Sequence, residues 1–259
     1  MALRQAAARA GAVAPEVPPT VPWPNFYAAE TRRNRQGRHK LFVGPTQSGK
    51  TVLARLEARL RQFVVVMGTK PVDDSLDEYE REGYLRIDHW PPTNSEKKKA
   101  GAPDQCRILL WPEIKKREQL RSAEVRGTFL KLFDQAFIEG HWTIVVDEAL
   151  WVARRSGLDL DQALADMAYG SASNKVSLYI TLQRPSGVSR LIWANCAEAY
   201  IFHSGVRDDV RELASLGIYQ PPDVVRAMSQ LGTGENHHPF LYLPCRAGGA
   251  TWAVSEAQL

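Results

Sequence analysis

Residues 44–51 of this chain, Gly44, Pro45, Thr46, Gln47, Ser48, Gly49, Lys50 and Thr51, fit the spacing G-x-x-x-x-G-K-[ST]. No other feature restricts the possible folds as much. The spacing needs a strand that ends abruptly before it and a helix that starts at the lysine. Leu41-Phe42-Val43 is a short apolar run that reads as a buried strand. After the loop, Leu53, Leu56 and Leu60 repeat at helical spacing, with Arg55, Arg59 and Arg61 elsewhere on the helix. The glycines let the backbone curl until its N–H groups face one point, and the new helix adds the positive end of its dipole. That is a cradle for a polyphosphate. Lys50 is expected to reach the β- and γ-phosphates of a nucleoside triphosphate, and the Thr51 hydroxyl to hold Mg²⁺.

Two further segments suit such a cradle. Thr143-Ile144-Val145-Val146 reads as a buried strand, and Asp147-Glu148 stand at its C-terminal end, the edge where ligands gather in open α/β sheets. Asp147 is expected to orient Mg²⁺ or its water shell, and Glu148 to polarise the attacking water as general base. Leu178-Tyr179-Ile180-Thr181-Leu182 is another apolar strand, followed by Gln183-Arg184-Pro185. The Gln183 amide can donate to a phosphate and accept from water, and Pro185 ends the strand because it lacks an N–H.

The stretch from Trp142 to about Leu213 resembles the FtsK/HerA superfamily of P-loop DNA-pumping ATPases. It is carried by IVVDEALWVARR, by ALADMAYGSASNKVSLYITLQRPSGVSRLIWANCAEAYIFHSG and by RDDVREL. Leu231-Gly232-Thr233-Gly234-Glu235 followed by Phe240-Leu241-Tyr242-Leu243-Pro244 looks like that core's terminal hairpin. The similarity spans roughly residues 38 to 245, and the Gln-Arg-Pro segment is its most specific part. It implies an α/β, RecA/ASCE-like P-loop NTPase core with a mostly parallel central sheet flanked by helices. It also implies ATP and Mg²⁺ as the ligands, with Lys50 and Thr51 on phosphate and metal, Asp147 on the metal, Glu148 as catalytic base and Gln183 as γ-phosphate sensor. Members act as rings, usually hexamers, in which an arginine of one subunit completes the next site. Arg211 best matches that arginine, ahead of Arg207 and Arg184. Where the chromosome-segregation members carry a second basic residue before the sensor strand, this chain has Ala172 or Ser173, with Lys175 nearby.

The strand–helix alternation predicts a parallel sheet. Strands are expected at 40–43, 63–67, 85–87, 107–110, 143–146, 177–182 and 199–202, and helices at 51–61, 124–138, 159–169 and 207–215. The stripe Val125, Phe129, Leu132, Phe133, Ala136 and Phe137 reads as core, and Trp111, Trp151 and Trp193 read as core or interface residues rather than stacking platforms for bases. One motor domain is expected over 38–259. Residues 1–37 are read as an arm, Ala-rich to Ala14 and then a Pro-rich extended strap over 15–24 that either crosses a neighbouring subunit or stays disordered. The cluster Arg32, Arg33, Arg35, Arg38, His39 and Lys40 is either a contact for DNA or a neighbour's nucleotide, or a solvated entry to the first strand. Lys97-Lys98-Lys99 is either a phosphate-tracking loop or a solvated one. Residues 149–175, with Arg154, Arg155 and Lys175, are a candidate lever facing DNA.

Composition excludes more than it selects. A formal net charge of +4 is compatible with nucleic acid but does not require it. Cys106, Cys196 and Cys245 are far apart and show no zinc spacing. No apolar run approaches the ~18–20 residues of a membrane span; the resemblance implies a cytoplasmic protein of a host cell, or one carried in the virion. The resemblance and the small size together imply an ATP-driven double-stranded DNA translocase, most similar to the genome-packaging ATPases of tailless, membrane-containing double-stranded DNA viruses. Its partners would be double-stranded DNA, a homo-oligomeric ring, and capsid or portal-vertex proteins. A conjugation or filamentous-phage assembly motor, or a slow nucleotide-dependent assembly switch, are the alternatives.

Overall fold

Short β-branched and aromatic runs bounded by glycine, proline and charged residues set the strands of this protein. The computed structural model describes residues 17–70, 72–113, 123–154, 158–186, 188–204, 206–216, 219–232, 238–245 and 251–257. Thus the Ala-rich arm of residues 1–14, Arg155, and residues 233–235 of the expected hairpin lie outside the described residues. In chain order the elements are α1 (Trp23–Arg33), β1 (Lys40–Val43), α2 (Lys50–Ala58), β2 (Phe63–Met67), α3 (Asp74–Arg81), β3 (Leu85–Ile87) and α4 (Asn94–Lys99). Then follow β4 (Cys106–Leu110), α5 (Ala123–Glu139), β5 (Thr143–Val146), α6 (Ala149–Ala153), α7 (Asp161–Gly170) and β6 (Ser177–Leu182). The chain continues with α8 (Arg190–Ala194), β7 (Glu198–Phe202), α9 (Arg207–Ala214), α10 (Pro221–Ser229), β8 (Pro239–Pro244) and β9 (Ala253–Glu256).

The strands form one nine-stranded sheet in the order β3-β4-β2-β5-β6-β1-β7-β8-β9. It is parallel from β3 to β7, and β8 and β9 complete it as an antiparallel hairpin. The strands of the hairpin are therefore 239–244 and 253–256, and Leu231 and Gly232 precede it. Strand β1 lies between β6 and β7, with Val43 in register with Leu182 and Ile201. Central strands of a parallel sheet are covered on both faces, and β1, β5, β6 and β7 are buried along their whole length. One face packs on α5, α7, α8, α9 and α10 through Phe129, Leu132, Leu164, Ile192, Leu213 and Val224. The other packs on α1, α2 and α3 through Phe26, Leu53, Leu76 and Tyr79. Trp111 and Trp193 are buried in these cores and Trp151 is half-buried.

Six of the described helices escaped the sequence reading, among them the short α6 and α8. Helices α1 and α10 both open with proline at their first positions, Pro24 in one and Pro221 and Pro222 in the other. Proline is tolerated there because the first N–H groups of a helix have no intrahelical partner, so residues that looked like breakers are starters. Helix α3 is capped by Asp73, whose side chain accepts the Ser75 N–H. Helix α4 carries a capping box of Thr93 and Glu96, so Lys97, Lys98 and Lys99 sit in a helical last turn and not in a loop.

The strap also differs from expectation. Its chain does run extended over 19–21, where the Val21 N–H donates to Val254 O (2.8 Å) and the Val254 N–H to Pro19 O (2.9 Å). From Trp23 it becomes α1 and packs on the sheet, with Phe26 edge-on to Tyr200, Phe240 and Tyr242. Residues 17–33 are thus packed into the same domain. The basic cluster is divided. Arg32 and Arg35 are exposed, but Lys40 is fully buried, its Nζ 2.8 Å from Glu30, 2.6 Å from Glu57 and 3.2 Å from Glu198. Arg33 pairs with Glu30, Arg38 with Glu198 at 2.9 Å, and the His39 Nδ1 accepts the Leu178 N–H at 3.0 Å. Arg33, Arg38 and Lys40 are therefore engaged in ion pairs within the protein, and His39 is a buried hydrogen-bond acceptor.

Candidate active site

The loop after β1 is shaped by its glycines and by what lies behind it. The Gly44 N–H donates to Leu182 O at 3.1 Å, carrying the β1–β6 pairing one residue past the strand. A β-carbon at Gly44 would stand 2.6 Å from the Phe202 Cβ, so no side chain fits there. Gly49 has φ +93°, the left-handed region that glycine adopts without penalty, and caps α2. Gln47 is left-handed as well, at φ 63°. Pro45, Thr46 and Gln47 are exposed, and Ser48, Gly49 and Thr51 half-buried.

Lys50 is buried at the start of α2, and its Nζ donates to Pro45 O at 2.7 Å across the loop. Burial lowers its pKa from the usual lysine value, and the nearby charges of Glu148 and Asp147 oppose that shift without cancelling it. The lysine is thus desolvated beside carboxylates but hydrogen-bonded to a carbonyl, and a phosphate oxygen offers it a better acceptor.

Strands β5 and β6 bring the rest. The Thr181 Oγ1 donates to Asp147 Oδ1 at 2.8 Å and accepts the Glu148 N–H at 2.9 Å. The Thr51 hydroxyl lies 3.2 Å from the same Asp147 oxygen. One threonine on β6 therefore fixes both residues at the end of β5. Glu148 stands in the left-handed region at φ 53°, costly for a residue with a β-carbon, and the turn into α6 aims its carboxylate at Gln183. The Gln183 Nε2 donates to Glu148 Oε2 at 2.8 Å. Lys50, Thr51, Asp147, Glu148 and Gln183 thus converge at the C-terminal edge of three adjacent strands, as the switch-point rule requires. An oxygen-only pair of one hydroxyl and one carboxylate, Thr51 and Asp147, is the donor set a Mg²⁺ ion takes in such sites.

Three contributors were missed in the sequence. Thr181 had one signal, a short polar side chain two residues before Gln183 among apolar and aromatic neighbours. Lys70 had none. It lies just past β2, the neighbour of β5, and Trp111 Nε1 holds its carbonyl at 2.6 Å. Partial burial works against its charge, but the Asp73 hydrogen bond (3.0 Å) and the charges of Asp147, Asp73 and Glu148 outweigh it and raise its pKa. The third, His238, lies on Gly49 from the hairpin side, where a β-carbon at Gly49 would be 3.0 Å from its Cβ.

The arginines are arranged differently. Arg211 on α9 is 79 % exposed, with Asp208 at 3.9 Å as its ion-pair partner. Arg184 reaches Asp209 at 3.8 Å. Arg207 is exposed at the start of α9. None of the ion pairs or hydrogen bonds among the described residues joins these three to Lys50, Asp147 or Glu148.

The phosphate loop, the carboxylate strand beside it and the interposed sensor strand define the fold as a P-loop NTPase of the RecA/ASCE type. No protein-family model and no curated protein sequence matches the chain. Among solved structures, the fold is similar to B204, the DNA-packaging ATPase of Sulfolobus turreted icosahedral virus, with 14% identity and a TM-score of 0.58 over 85% of this chain and 97% of that one. It is similar too to the genome packaging NTPase B204 of Sulfolobus turreted icosahedral virus 2 in complex with ATP-γ-S, at 13% identity and TM-score 0.56, covering 86% and 98% of the two chains. A third likeness is to ATPases 2 and 3 of EssC from Geobacillus thermodenitrificans, at 11% identity and TM-score 0.50, covering 85% of this chain and 39% of that one. At these identities the likeness is one of fold, and it is the fold that the FtsK/HerA resemblance implied. Among the described residues, no helix is long and apolar enough to cross a membrane.

Proposed function

We propose that this protein is an ATPase that moves double-stranded DNA, and that its task is to package a viral genome. The observation that carries the hydrolytic part is the chain of hydrogen bonds from Thr51 through Asp147 and Thr181 to Glu148 and Gln183. The loop N–H groups and Lys50 take the β- and γ-phosphates. Thr51 and Asp147 hold Mg²⁺, which neutralises charge on the phosphate oxygens. Glu148 has one carboxylate oxygen on Gln183 and the other available to accept a proton from water. Gln183 can donate to Glu148 or to the γ-phosphate, so its choice links the presence of that phosphate to the position of the base.

The DNA and packaging parts are supported by the likeness in fold to B204, whose name makes it a genome packaging NTPase, and by the chain's own basic charge balance. Residues 38–259 form the motor in this reading, with residues 17–33 packed onto it. Exposure of Arg211 suits a residue that acts on the next subunit of a ring, where a cation offsets charge on the transferred phosphoryl group.

Steady-state ATP hydrolysis, with and without long double-stranded DNA, tests the proposal. Hydrolysis should rise with DNA, and Glu148→Gln should lower kcat by about 100-fold or more while ATP still binds. Wild-type turnover indifferent to DNA from low to high salt sinks the motor reading. Turnover retained by Glu148→Gln removes Glu148 as the base.

A further inference from the structure

The polarity of the site fixes where the rest of the nucleotide must go. The groups suited to the γ-phosphate end, Asp147, Glu148 and Gln183, lie at β5 and β6, on one side of the loop after β1. The phosphates fill the loop and the start of α2. The nucleoside end therefore leaves toward the opposite neighbours of β1 in the sheet, β7 and β8. On that side the loop is walled by two rings. Phe202, at the end of β7, stands behind Gly44 and Gly49 and pairs across the strands with Phe240 of β8. His238, two residues before Phe240, lies directly on Gly49. A β-carbon at Gly49 would meet the His238 Cβ at 3.0 Å, its Cγ at 3.2 Å and the Phe202 Cε1 at 3.5 Å. Phe202 is buried, whereas His238 is half-buried. Among the described residues no hydrogen bond or ion pair engages the His238 ring.

From this placement we propose that His238 holds the base of the bound nucleotide by stacking its imidazole against the purine. The proposal rests on the nucleotide reading above and adds a subsite to it. A half-buried ring whose Cβ lies against the phosphate loop, and which makes no hydrogen bond or ion pair among the described residues, is suited to a planar aromatic ligand arriving from the loop. Stacking of a base on an aromatic side chain changes affinity by roughly 5- to 100-fold on truncation to alanine. The hairpin β8–β9 thereby gains a role in ligand binding: it carries the ring that closes the nucleoside side of the site.

The test compares two ligands that share phosphates but not a base, MgATP and magnesium tripolyphosphate, titrated calorimetrically into the full-length protein. His238→Ala should weaken ATP by roughly tenfold and leave tripolyphosphate within twofold of wild type. His238→Phe, which keeps the stack, should restore ATP affinity. Equal weakening of both ligands overturns the proposal, because the residue would then act only by bracing the loop at Gly49. Unchanged ATP affinity in His238→Ala overturns it as well. Tripolyphosphate binding without any gain from the nucleoside in wild type rejects the subsite but keeps the phosphate site. Binding of neither ligand by wild type rejects the nucleotide reading itself.

Discussion

Strand β1 has a lysine at its first residue and another seven positions beyond its last, and the two live in opposite circumstances. Lys40 is sealed behind the sheet with Glu30, Glu57 and Glu198 around it, and Tyr200 within 3.2 Å. Burial alone would lower its pKa, but those carboxylates raise it well above the usual lysine value. Lys50 is also buried, yet its hydrogen bond goes to a carbonyl, and burial leaves its pKa lowered. A desolvated cation that is fully partnered holds structure together. One that is desolvated and only partly compensated is poised to take an anion. The sequence shows two lysines; only their surroundings separate a brace from a phosphate ligand.

Exchanging each lysine for methionine should break that comparison most sharply. Lys40→Met leaves three carboxylates in a site they cannot share, and should cost about 3–5 kcal/mol, seen as a fall of roughly 10 °C in Tm. Lys50→Met should reverse the pattern, with a Tm within a few degrees of wild type and hydrolysis reduced by about 100-fold or more. Equal loss of stability in both variants would remove the distinction.

The acid groups around Lys40 give the next effect. Burial raises the Glu57 pKa, and Lys40 does not fully compensate, so it stands at about 7. Burial also opposes ionisation of Glu30, but Lys40, Arg33 and the Tyr200 hydroxyl overcome it and set its pKa at about 2. Glu57 therefore makes the fold more stable as pH falls from about 7 to 4.5. Glu30 contributes stability that is present above pH 4.5 and lost as pH falls toward 2. Each shift is worth about 3 kcal/mol. Urea midpoints should rise modestly from pH 8 to pH 5 and fall below pH 4.5. Glu57→Gln should flatten the first limb and Glu30→Gln the second.

A smaller change sharpens the active end. Thr181→Val removes the hydroxyl shared by Asp147 and the Glu148 N–H, which should cost about 1–3 kcal/mol of stability and lower kcat by roughly tenfold. Calorimetric ATP affinity should change less than kcat, because Lys50 and the loop N–H groups remain. At the bottom of the scale stands Arg59, paired with Glu82 on the surface at 2.6 Å. Arg59→Ala should alter stability by no more than about 1 kcal/mol, which denaturant unfolding can check against Lys40→Met.

Much of this was legible in the chain. The strands at 40–43, 63–67, 143–146 and 177–182 follow from short apolar runs with few competing interpretations. A strand–loop–helix around Gly44 to Thr51 is dictated locally, because only glycine at position 49 takes φ +93° freely. Asp147, Glu148 and Gln183 could be placed at strand ends for the same local reason. Helices α1 and α10 were not legible, since proline at a helix start looks like proline that forbids a helix. Nor was the division of the basic cluster, because the partners Glu57 and Glu198 lie far along the chain from Lys40.

The sequence by itself determined the elements and the residue types at their ends, because strand length, helix start and turn geometry depend on neighbours a few positions away. The tertiary structure alone decided which of those ends meet. Thr181 on β6 joins two residues of β5, Lys70 enters from β2, and His238 reaches Gly49 from the last hairpin. Those meetings depend on strand order and register across the sheet, and no local pattern encodes contact between residues from about thirty to nearly two hundred positions apart.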